Sequence, residues 1–433
     1  MRVIILAHVV LLTASFAACE DASQPGGGDD DDDDGNSDGD SDGDGDADAD
    51  DDADGDTDAT AGSLHGSVLA PNGTTPIAGA LVYLTQGDAP VIPGEIYCYE
   101  CDDMTGKKWT LSGPDGGFLL ETVPAGQWNI VTRKGMFQRQ RAITATGDPA
   151  QDVPVSLTTL PGQNSADGLD RIPRYAVLLN TWDRSHDLLA KLGLGTLNAS
   201  GGLVYGTEQF DIYNDAVTQP GYPASSTLVQ SDATLHGYHM VFFPCTSDAN
   251  AVSFVQGKAS MLRTYVSLGG KIYNSCCTAL WTEQPFPEYV EFYGNDAANL
   301  FDIGRITSFG YSTNGKVEDE DMRAWLSVVT ASDPDWFPFT DGYVKIDGLV
   351  PTSDGHGLEE DGYWVIPKAW VTDQNSYPGA PLIVTYNFDC GKVFYSVYET
   401  SHGSGTAISP QEYVLLYMIL EVGVCEGDYV DPE

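Results

Sequence analysis

Basic residues are scarce in this chain of 433 amino acids. Lysine and arginine together number 20, against 64 aspartates and glutamates, and the formal net charge is −44. Eighteen aspartates and no basic residue fall within 29–58, and removing their charge leaves −26 for the rest of the chain. Because such a surface repels phosphate groups, the composition argues against nucleic acid as a partner and against electrostatic attachment to anionic membranes.

A long apolar run is also missing. The candidate Val3–Leu12 is too short to span a bilayer, and it lies between Arg2 and the small-residue segment Phe16–Cys19. We therefore interpret 1–18 as a signal peptide. The segment Phe16–Cys19 resembles the bacterial lipobox, which implies that Cys19 is lipidated and becomes the mature N-terminus. This pattern predicts an exported protein of the cell envelope that is held at a membrane by its lipid.

The next segment, 19–62, is built almost entirely of Asp, Gly, Ser and Ala. It offers nothing to bury and its charges repel one another, so we predict a disordered acidic tether. Part of it matches the first half of a calcium-binding loop, although Ala61 stands where such a loop needs a glutamate. We expect no cofactor apart from calcium bound weakly by the tether. The candidate calcium ligands are Asp50, Asp52, Asp54, Asp56 and Asp58.

Short alternating runs separated by turns begin at Ser63 and predict a small β-sandwich over 63–160. The predicted strands include His65–Leu69, Ala80–Thr85, Gly117–Glu121 and Gln127–Thr132. The segments GSVLAPNGTTPIAGALVYL and SGPDGGFLLETVPAGQWNIVTRKGMFQ resemble the carboxypeptidase regulatory-like domain, a transthyretin-like β-sandwich. The resemblance implies a structural or adhesive module, carbohydrate-binding in some cases, that is not catalytic.

After a polar linker at 161–171, strands and helices alternate over 172–426, and a tail of 427–433 follows. The alternation predicts a parallel, doubly wound α/β sheet. Leu262, Tyr265 and Val266 share one face of a predicted helix. Further predicted elements are strands at Tyr175–Asn180, Leu203–Tyr205, Phe210–Tyr213, Met240–Phe243 and Lys271–Ser275, a hairpin of Leu382–Phe388 with Lys392–Tyr398, and a last helix capped by Ser409 and Glu412.

The segments YVSLGGKIYNS, WTEQPFPEYVEFYG and CGKVFYSVYETSH resemble the flavodoxin-like core of class I glutamine amidotransferases, and in particular the amidotransferase-like domains of bacterial lipoproteins with Asp-rich tethers. Cys276 and Cys277 stand where that family carries its nucleophile, in the pattern G-x-C-x-G. Both flanking glycines are missing here, and Glu399 and His402 depart from the family's order of His and Glu. The resemblance therefore implies a domain that has lost catalysis.

Three functional hypotheses remain. The first is a binding or scaffolding role at the cell envelope, with an unknown envelope protein or glycan as partner. The second is a Cys-dependent amidase or hydrolase that uses Cys276 or Cys277 with His402 and Glu399. The third is a calcium-responsive or carbohydrate-binding adhesion module.

Seven cysteines remain if Cys19 is lipidated, and export permits disulfides. We expect Cys98 to pair with Cys101, Cys390 with Cys425, and Cys245 with either Cys276 or Cys277. The alternative is a zinc site formed by the thiolates of Cys245, Cys276 and Cys277 together with a histidine, for which His186 would lie nearby. The polar candidates for a pocket at the same edge of the sheet are Asp183, His186, Asp248 and Glu283.

Overall fold

The computed structural model describes residues 61–246, 257–294, 302–306, 310–350, 367–400 and 405–425. The predicted signal peptide, Cys19 and the calcium candidates of the tether lie outside these ranges, as do Asp248 and His402. Among the described residues, no helix has both the length and the apolar character needed to cross a membrane. The fold is mixed α/β and contains several sheets.

The first 111 described residues, 61–171, are dominated by short strands. Their elements are β1 Ala61–Ser67, β2 Leu81–Thr85, β3 Trp109–Leu111, β4 Gly117–Pro124, β5 Gly126–Lys134, β6 Phe137–Ala145, β7 Gln151–Asp152, helix α1 Val155–Thr158 and β8 Asp170–Arg171. They form a three-stranded sheet of order β4-β1-β7 and a five-stranded sheet of order β3-β2-β5-β6-β8. Both sheets contribute to one core, through Leu64 from the first and Val82 and Ile130 from the second. The predicted linker 161–171 thus contains β8, which pairs with β6.

The remaining residues alternate strands and helices. The strands are β9 Tyr175–Leu179, β10 Asp211–Asn214, β11 Met240–Phe243, β12 Lys271–Ser275, β13 Val290–Phe292, β14 Tyr311–Val317, β15 Phe337–Gly342, β16 Ile346–Leu349, β17 Lys368–Asp373, β18 Pro381–Phe388 and β19 Gly391–Ser396. The helices are α2 Ser185–Leu189, which continues into a π-helical turn at Ala190–Leu194, α3 Ser225–Leu228, α4 Asp232–Leu235, α5 Ala259–Ser267, α6 Leu280–Glu283, α7 Glu320–Val329 and α8 Pro410–Val422.

Nine of these strands form one sheet, of order β10-β9-β11-β12-β19-β18-β17-β14-β15. The first five run parallel and form the parallel half of the sheet. If these five strands are numbered by their order along the chain, their order across the sheet is 2-1-3-4-5. The other four extend the sheet through antiparallel pairs. The strand order reverses between β9 and β11, and in open α/β sheets such a reversal leaves a crevice beyond the carboxyl ends of the strands. The site described below lies at this carboxyl edge of the sheet.

The central strands are buried along their whole length, as parallel strands covered on both faces must be. Helix α5 covers one face with Leu262, Tyr265 and Val266, all buried as their spacing predicts. Helix α8 begins with the predicted capping box, in which the Ser409 hydroxyl accepts from the Glu412 amide and the Glu412 carboxylate accepts from the Ser409 amide. These apolar surfaces and those of 61–171 merge into one continuous hydrophobic core.

The predicted disulfide pairings are wrong. Cys98 is bonded to Cys390 and Cys101 to Cys425, each pair with its Cα atoms 4.9 Å apart. Both bridges therefore join the segment 90–109, which leads from β2 into β3 and which we call the insertion, to the α/β part of the chain. We expected these four cysteines to form one bridge inside the insertion and one inside the α/β part. Cys245 also differs from the prediction, because it is bonded to neither Cys276 nor Cys277, and all three are free cysteines.

The physical reason for the crossed bridges is that the insertion lies across the α/β part. The Ile96 amide donates to the carbonyl of His236 at 2.9 Å. The chain passes so close to Gly269 that a Cβ there would lie 2.1 Å from the Tyr97 carbonyl oxygen. Gly269 also has a φ of +103°, which side chains disfavour. The insertion consequently presents both of its cysteines to the end of β18 and the end of α8.

One predicted strand is absent. Leu203–Tyr205 contributes only an isolated bridge between Leu197 and Leu203. Its apolar residues instead belong to a turn region in which the Leu203 amide donates to the buried Asp187 carboxylate at 2.7 Å. A side-chain acceptor here takes the place of a ladder partner.

Candidate functional site

Five of the predicted site residues lie at the carboxyl ends of four parallel strands. Cys245 follows β11, and Cys276 and Cys277 follow β12 directly. Asp183 lies beyond β9, and Glu399 lies beyond β19. Because the carboxyl ends of parallel strands meet at one edge of the sheet, residues far apart in sequence become neighbours here.

The three sulfur atoms of Cys245, Cys276 and Cys277 form a compact group, which we call the thiol cluster. All three lie within 4.8 Å of one another. The Cys276 and Cys277 sulfurs are 3.5 Å apart, and the Cys277 amide lies 3.4 Å from the Cys245 sulfur. Cys245 and Cys276 are buried, whereas Cys277 is partly exposed. The cluster is thus reached from solvent through Cys277.

The backbone at Cys276 is in the left-handed region, with a φ of +50°. This is uncommon for a residue other than glycine, asparagine or aspartate. The turn is held from several sides: Ser275 and Thr278 form a capping box, the Thr278 hydroxyl donates to the Phe243 carbonyl at 3.1 Å, and the Tyr395 hydroxyl donates to the Cys276 carbonyl at 2.6 Å. Such surrounding contacts allow a strained conformation to persist, and strain of this kind clusters at functional sites.

The Asp183 carboxylate organises the strand ends around the thiol cluster. It is completely buried and accepts hydrogen bonds from four hydroxyls, those of Ser185, Tyr273, Ser275 and Thr400. The Ser275 hydroxyl in turn accepts from the Cys245 amide at 3.0 Å. Because Ser275 precedes Cys276, this one network fixes the backbone on both sides of the cluster.

Burial and neighbouring charges shift the protonation of the site. Burial raises the pKa of Glu399 to about 9, and the charges of Asp183 and Asp341 raise it further, although a contact with the Cys245 thiol opposes the shift. Glu399 is therefore protonated at neutral pH, and its buried Oε2 has no hydrogen-bond partner within the part of the chain that the structure describes. A neutral carboxyl group beside the thiols keeps one negative charge out of this edge of the sheet.

The three thiols are not equivalent. Burial raises the pKa of both Cys245 and Cys276. In contrast, hydrogen bonds from these two thiols lower the pKa of Cys277, and the Arg305 guanidinium lowers it further. Cys277, the cysteine that solvent can reach, is consequently the most acidic thiol of the cluster.

Two of the other predicted pocket residues lie apart from the thiols. His186 is buried on α2, stacked on Tyr205, with its Nε2 3.5 Å from the Asp187 carboxylate. Burial lowers the pKa of His186, so its ring stays neutral. Glu283 is at the end of α6 and largely buried. Within the described part of the chain, the thiol cluster is the one group of three or more potential metal-binding side chains, and neither His186 nor Glu283 belongs to it. Of the ligands predicted for zinc, the structure therefore brings together the three cysteines but not His186.

Sequence reasoning missed several residues that shape the site. Arg305 and Tyr395 face Cys277 and Cys276 respectively, and Ser275 joins Asp183 to Cys245. Ser275 and Tyr395 occupy equivalent ends of the adjacent strands β12 and β19, so strand pairing would have pointed to them. Arg305 carries no such signal, because it comes from a connection outside the regular elements.

Comparison with known proteins gives no family assignment. No protein-family model matches the chain, and no curated protein does. Among solved structures, a cytoplasmic protein of Salmonella typhimurium aligns over 58% of this chain and 99% of its own, with 11% identity and a TM-score of 0.33. A second, from strain LT2, aligns over 57% and 97% with 14% identity and a TM-score of 0.33. PurLQS from Thermotoga maritima aligns over 57% and 97% with 10% identity and a TM-score of 0.31. At these TM-scores the likenesses support no statement about function.

Proposed function

We propose that this chain is a cell-envelope lipoprotein with a binding or scaffolding role, anchored through lipid on Cys19. In this proposal, 63–160 is a carboxypeptidase regulatory-like sandwich and 172–426 is a flavodoxin-like, amidotransferase-like domain that has lost catalysis. The strand order second-first-third-fourth-fifth of the parallel half supports the flavodoxin-like assignment, because it is the order typical of that fold. An unidentified envelope protein or glycan is the proposed partner.

The observation that carries the proposal is the pair of disulfides between the insertion and the α/β part. Disulfides form and persist in exported proteins and are rare in the cytosol. Two bridges, Cys98–Cys390 and Cys101–Cys425, span 292 and 324 residues of sequence and hold the two parts in one arrangement. A fixed arrangement suits a protein that presents a surface to a partner. The complete burial of the Cys276 thiol supports the loss of catalysis.

Metabolic labelling tests the anchor. The full-length chain, with its own N-terminal segment, is expressed in a bacterial host that is fed a clickable fatty-acid analogue, and the membranes are then fractionated. We expect the lipid label on the wild-type chain, which should sediment with membranes. Cys19→Ser is the matched control and should lose both properties. An unlabelled wild-type chain that stays in the soluble fraction would refute the lipoprotein assignment.

A Cys-dependent amidase or hydrolase is the second candidate, and one observation favours it. The positive φ at Cys276, directly after a parallel strand, is the backbone feature of a nucleophile elbow. A glutamine-analogue electrophile separates the two candidates. Labelling of folded protein at Cys276 or Cys277 that disappears on heat unfolding, and in the matching Cys→Ser variant, would establish the hydrolase. Folded protein that stays unlabelled, while a small thiol reagent still modifies Cys277, supports the binding role.

A further inference from the structure

The thiol cluster has the composition and spacing of a metal site. Its three sulfurs come from two neighbouring strand ends and lie within 4.8 Å of one another, and no disulfide joins them. An ion bonded to three sulfurs at about 2.3 Å in a plane needs them about 4.0 Å apart. The observed 3.5 Å between the Cys276 and Cys277 sulfurs requires only a small outward movement to reach that spacing.

The backbone explains how two adjacent residues supply two ligands. In an extended strand, successive side chains point to opposite faces. At Cys276 the φ of +50° turns the chain out of that pattern, so that its sulfur lies beside the Cys277 sulfur and both lie beside Cys245. The strained turn at Cys276 thus serves to bring two adjacent sulfurs together as ligands, a role that requires no catalytic nucleophile.

The surroundings suit negatively charged sulfurs bound to a cation. The Cys277 amide points at the Cys245 sulfur across 3.4 Å, and the Arg305 side chain lies against Cys277. The backbone positions of the ligands are also fixed in advance: the Asp183–Ser275 network holds the Cys245 amide, and Tyr395 holds the Cys276 carbonyl. Partners that orient the ligands in this way are typical of protein metal sites.

The ligand chemistry selects the kind of ion. Thiolates favour soft cations such as Cu(I) and Zn²⁺, and structural zinc takes four ligands. Among the described residues the cluster offers three, all of them sulfur. We propose that Cys245, Cys276 and Cys277 bind one soft cation in three-coordinate geometry, with Cu(I) as the ion that fits. The inference goes beyond the proposed scaffolding role and stands without the lipid anchor.

The test uses the full-length chain, purified without oxygen and with its disulfides intact. Cu(I) is supplied from a chromogenic Cu(I) chelator, and Zn²⁺ is titrated in parallel. We expect one Cu(I) per chain, with thiolate-to-copper absorption in the near ultraviolet. Alkylation of the folded protein followed by peptide mapping should show that Cys277, the cluster thiol that solvent reaches, becomes protected at one equivalent of Cu(I). Because this protection is measured on wild-type protein, it does not depend on any variant folding.

Substitutions then assign the ligands. Cys245→Ser and Cys277→Ser should each weaken Cu(I) binding by about 100-fold or more, since even the loss of a supporting partner typically costs 10–100-fold. The matched control is Cys98→Ser with Cys390→Ser, which also removes sulfur but leaves the cluster intact and should keep the one-to-one stoichiometry.

Three results would overturn the proposal. They are a Cys277 thiol that stays open to alkylation in excess Cu(I), a native disulfide within the cluster, and tight Zn²⁺ binding without Cu(I) binding. A failure of lipidation would instead appear as an additional free thiol at Cys19 in the same peptide map, so the two proposals fail separately.

Discussion

Removing the two disulfides one at a time and then together tests how the 90–109 insertion is fixed to the α/β part. The bridges are linked, because Cys98 lies beside Cys101 in sequence, and so each shortens the loop that the other closes. Alone, Cys98–Cys390 closes a loop of 292 residues, worth roughly 6 kcal/mol by the chain-entropy relation. With that bridge present, Cys101–Cys425 closes a ring of only about 38 residues, made of 98–101 and 390–425, worth roughly 4 kcal/mol.

The expected losses of unfolding free energy follow from these loops. Cys101→Ala with Cys425→Ala should cost roughly 4 kcal/mol, and the other double variant about the same, because either remaining bridge leaves the same small ring. The quadruple variant should lose about 10 kcal/mol, more than the two double variants combined. That is most of the 5–15 kcal/mol by which proteins are usually stable, so we expect little folded protein.

Guanidinium denaturation followed by tryptophan fluorescence measures these differences. Wild-type protein in strong reductant is the matched control and should approach the quadruple variant. A quadruple variant that folds with a midpoint equal to that of either double variant would refute the reasoning, because the second bridge would then contribute nothing once the first is gone.

Three further predictions concern buried polar groups. Lys191→Met leaves the Glu412 carboxylate buried without the lysine that now contacts both its oxygens at 2.8 and 2.9 Å, so urea denaturation should show a loss of about 3–5 kcal/mol, partly restored by adding Glu412→Leu. Asp183→Asn replaces one carboxylate oxygen by an NH₂ group and so removes the acceptor of two of the four hydroxyls, which should cost roughly 3 kcal/mol by the same assay. The control Ser185→Ala removes one donor and should cost roughly 1 kcal/mol. Burial lowers the pKa of His239 to about 4, so the folded protein keeps this ring neutral at pH values where the unfolded chain, with a pKa near 6.5, protonates it. The contribution of His239 to stability is therefore complete above pH 6.5 and should fall by roughly 3 kcal/mol as the pH drops from 6.5 to 4. Thermal melts across this pH range should show the loss in wild-type protein and not in His239→Gln.

Local patterns predicted the regular elements of the α/β part well. Strand β12 has the predicted bounds Lys271–Ser275, and α8 has the predicted cap at Ser409. Both depend on interactions within a few residues, which the sequence displays directly. The prediction of a strand at Leu203–Tyr205 was wrong because a strand needs a partner strand in the sheet. Here the Leu203 amide donates to the buried Asp187 carboxylate instead.

Contacts between distant parts of the chain were beyond sequence reasoning. The proximity of Cys98 to Cys101 favoured a local bridge, but the insertion lies on the α/β part, and its partners, Cys390 and Cys425, are about 300 residues away. Similarly, the absence of glycines around Cys276 argued against a strained turn. The turn exists because Tyr395 and the capping box hold it from outside the motif.

Mapping every cysteine of the native full-length protein tests the central claim most directly. The protein is alkylated without reductant under denaturing conditions, digested and analysed by mass spectrometry. We predict bridges Cys98–Cys390 and Cys101–Cys425, together with alkylated Cys245, Cys276 and Cys277. A bridge between Cys98 and Cys101, or one from Cys245 to either of its neighbours, would contradict both the crossed arrangement and the free thiol cluster.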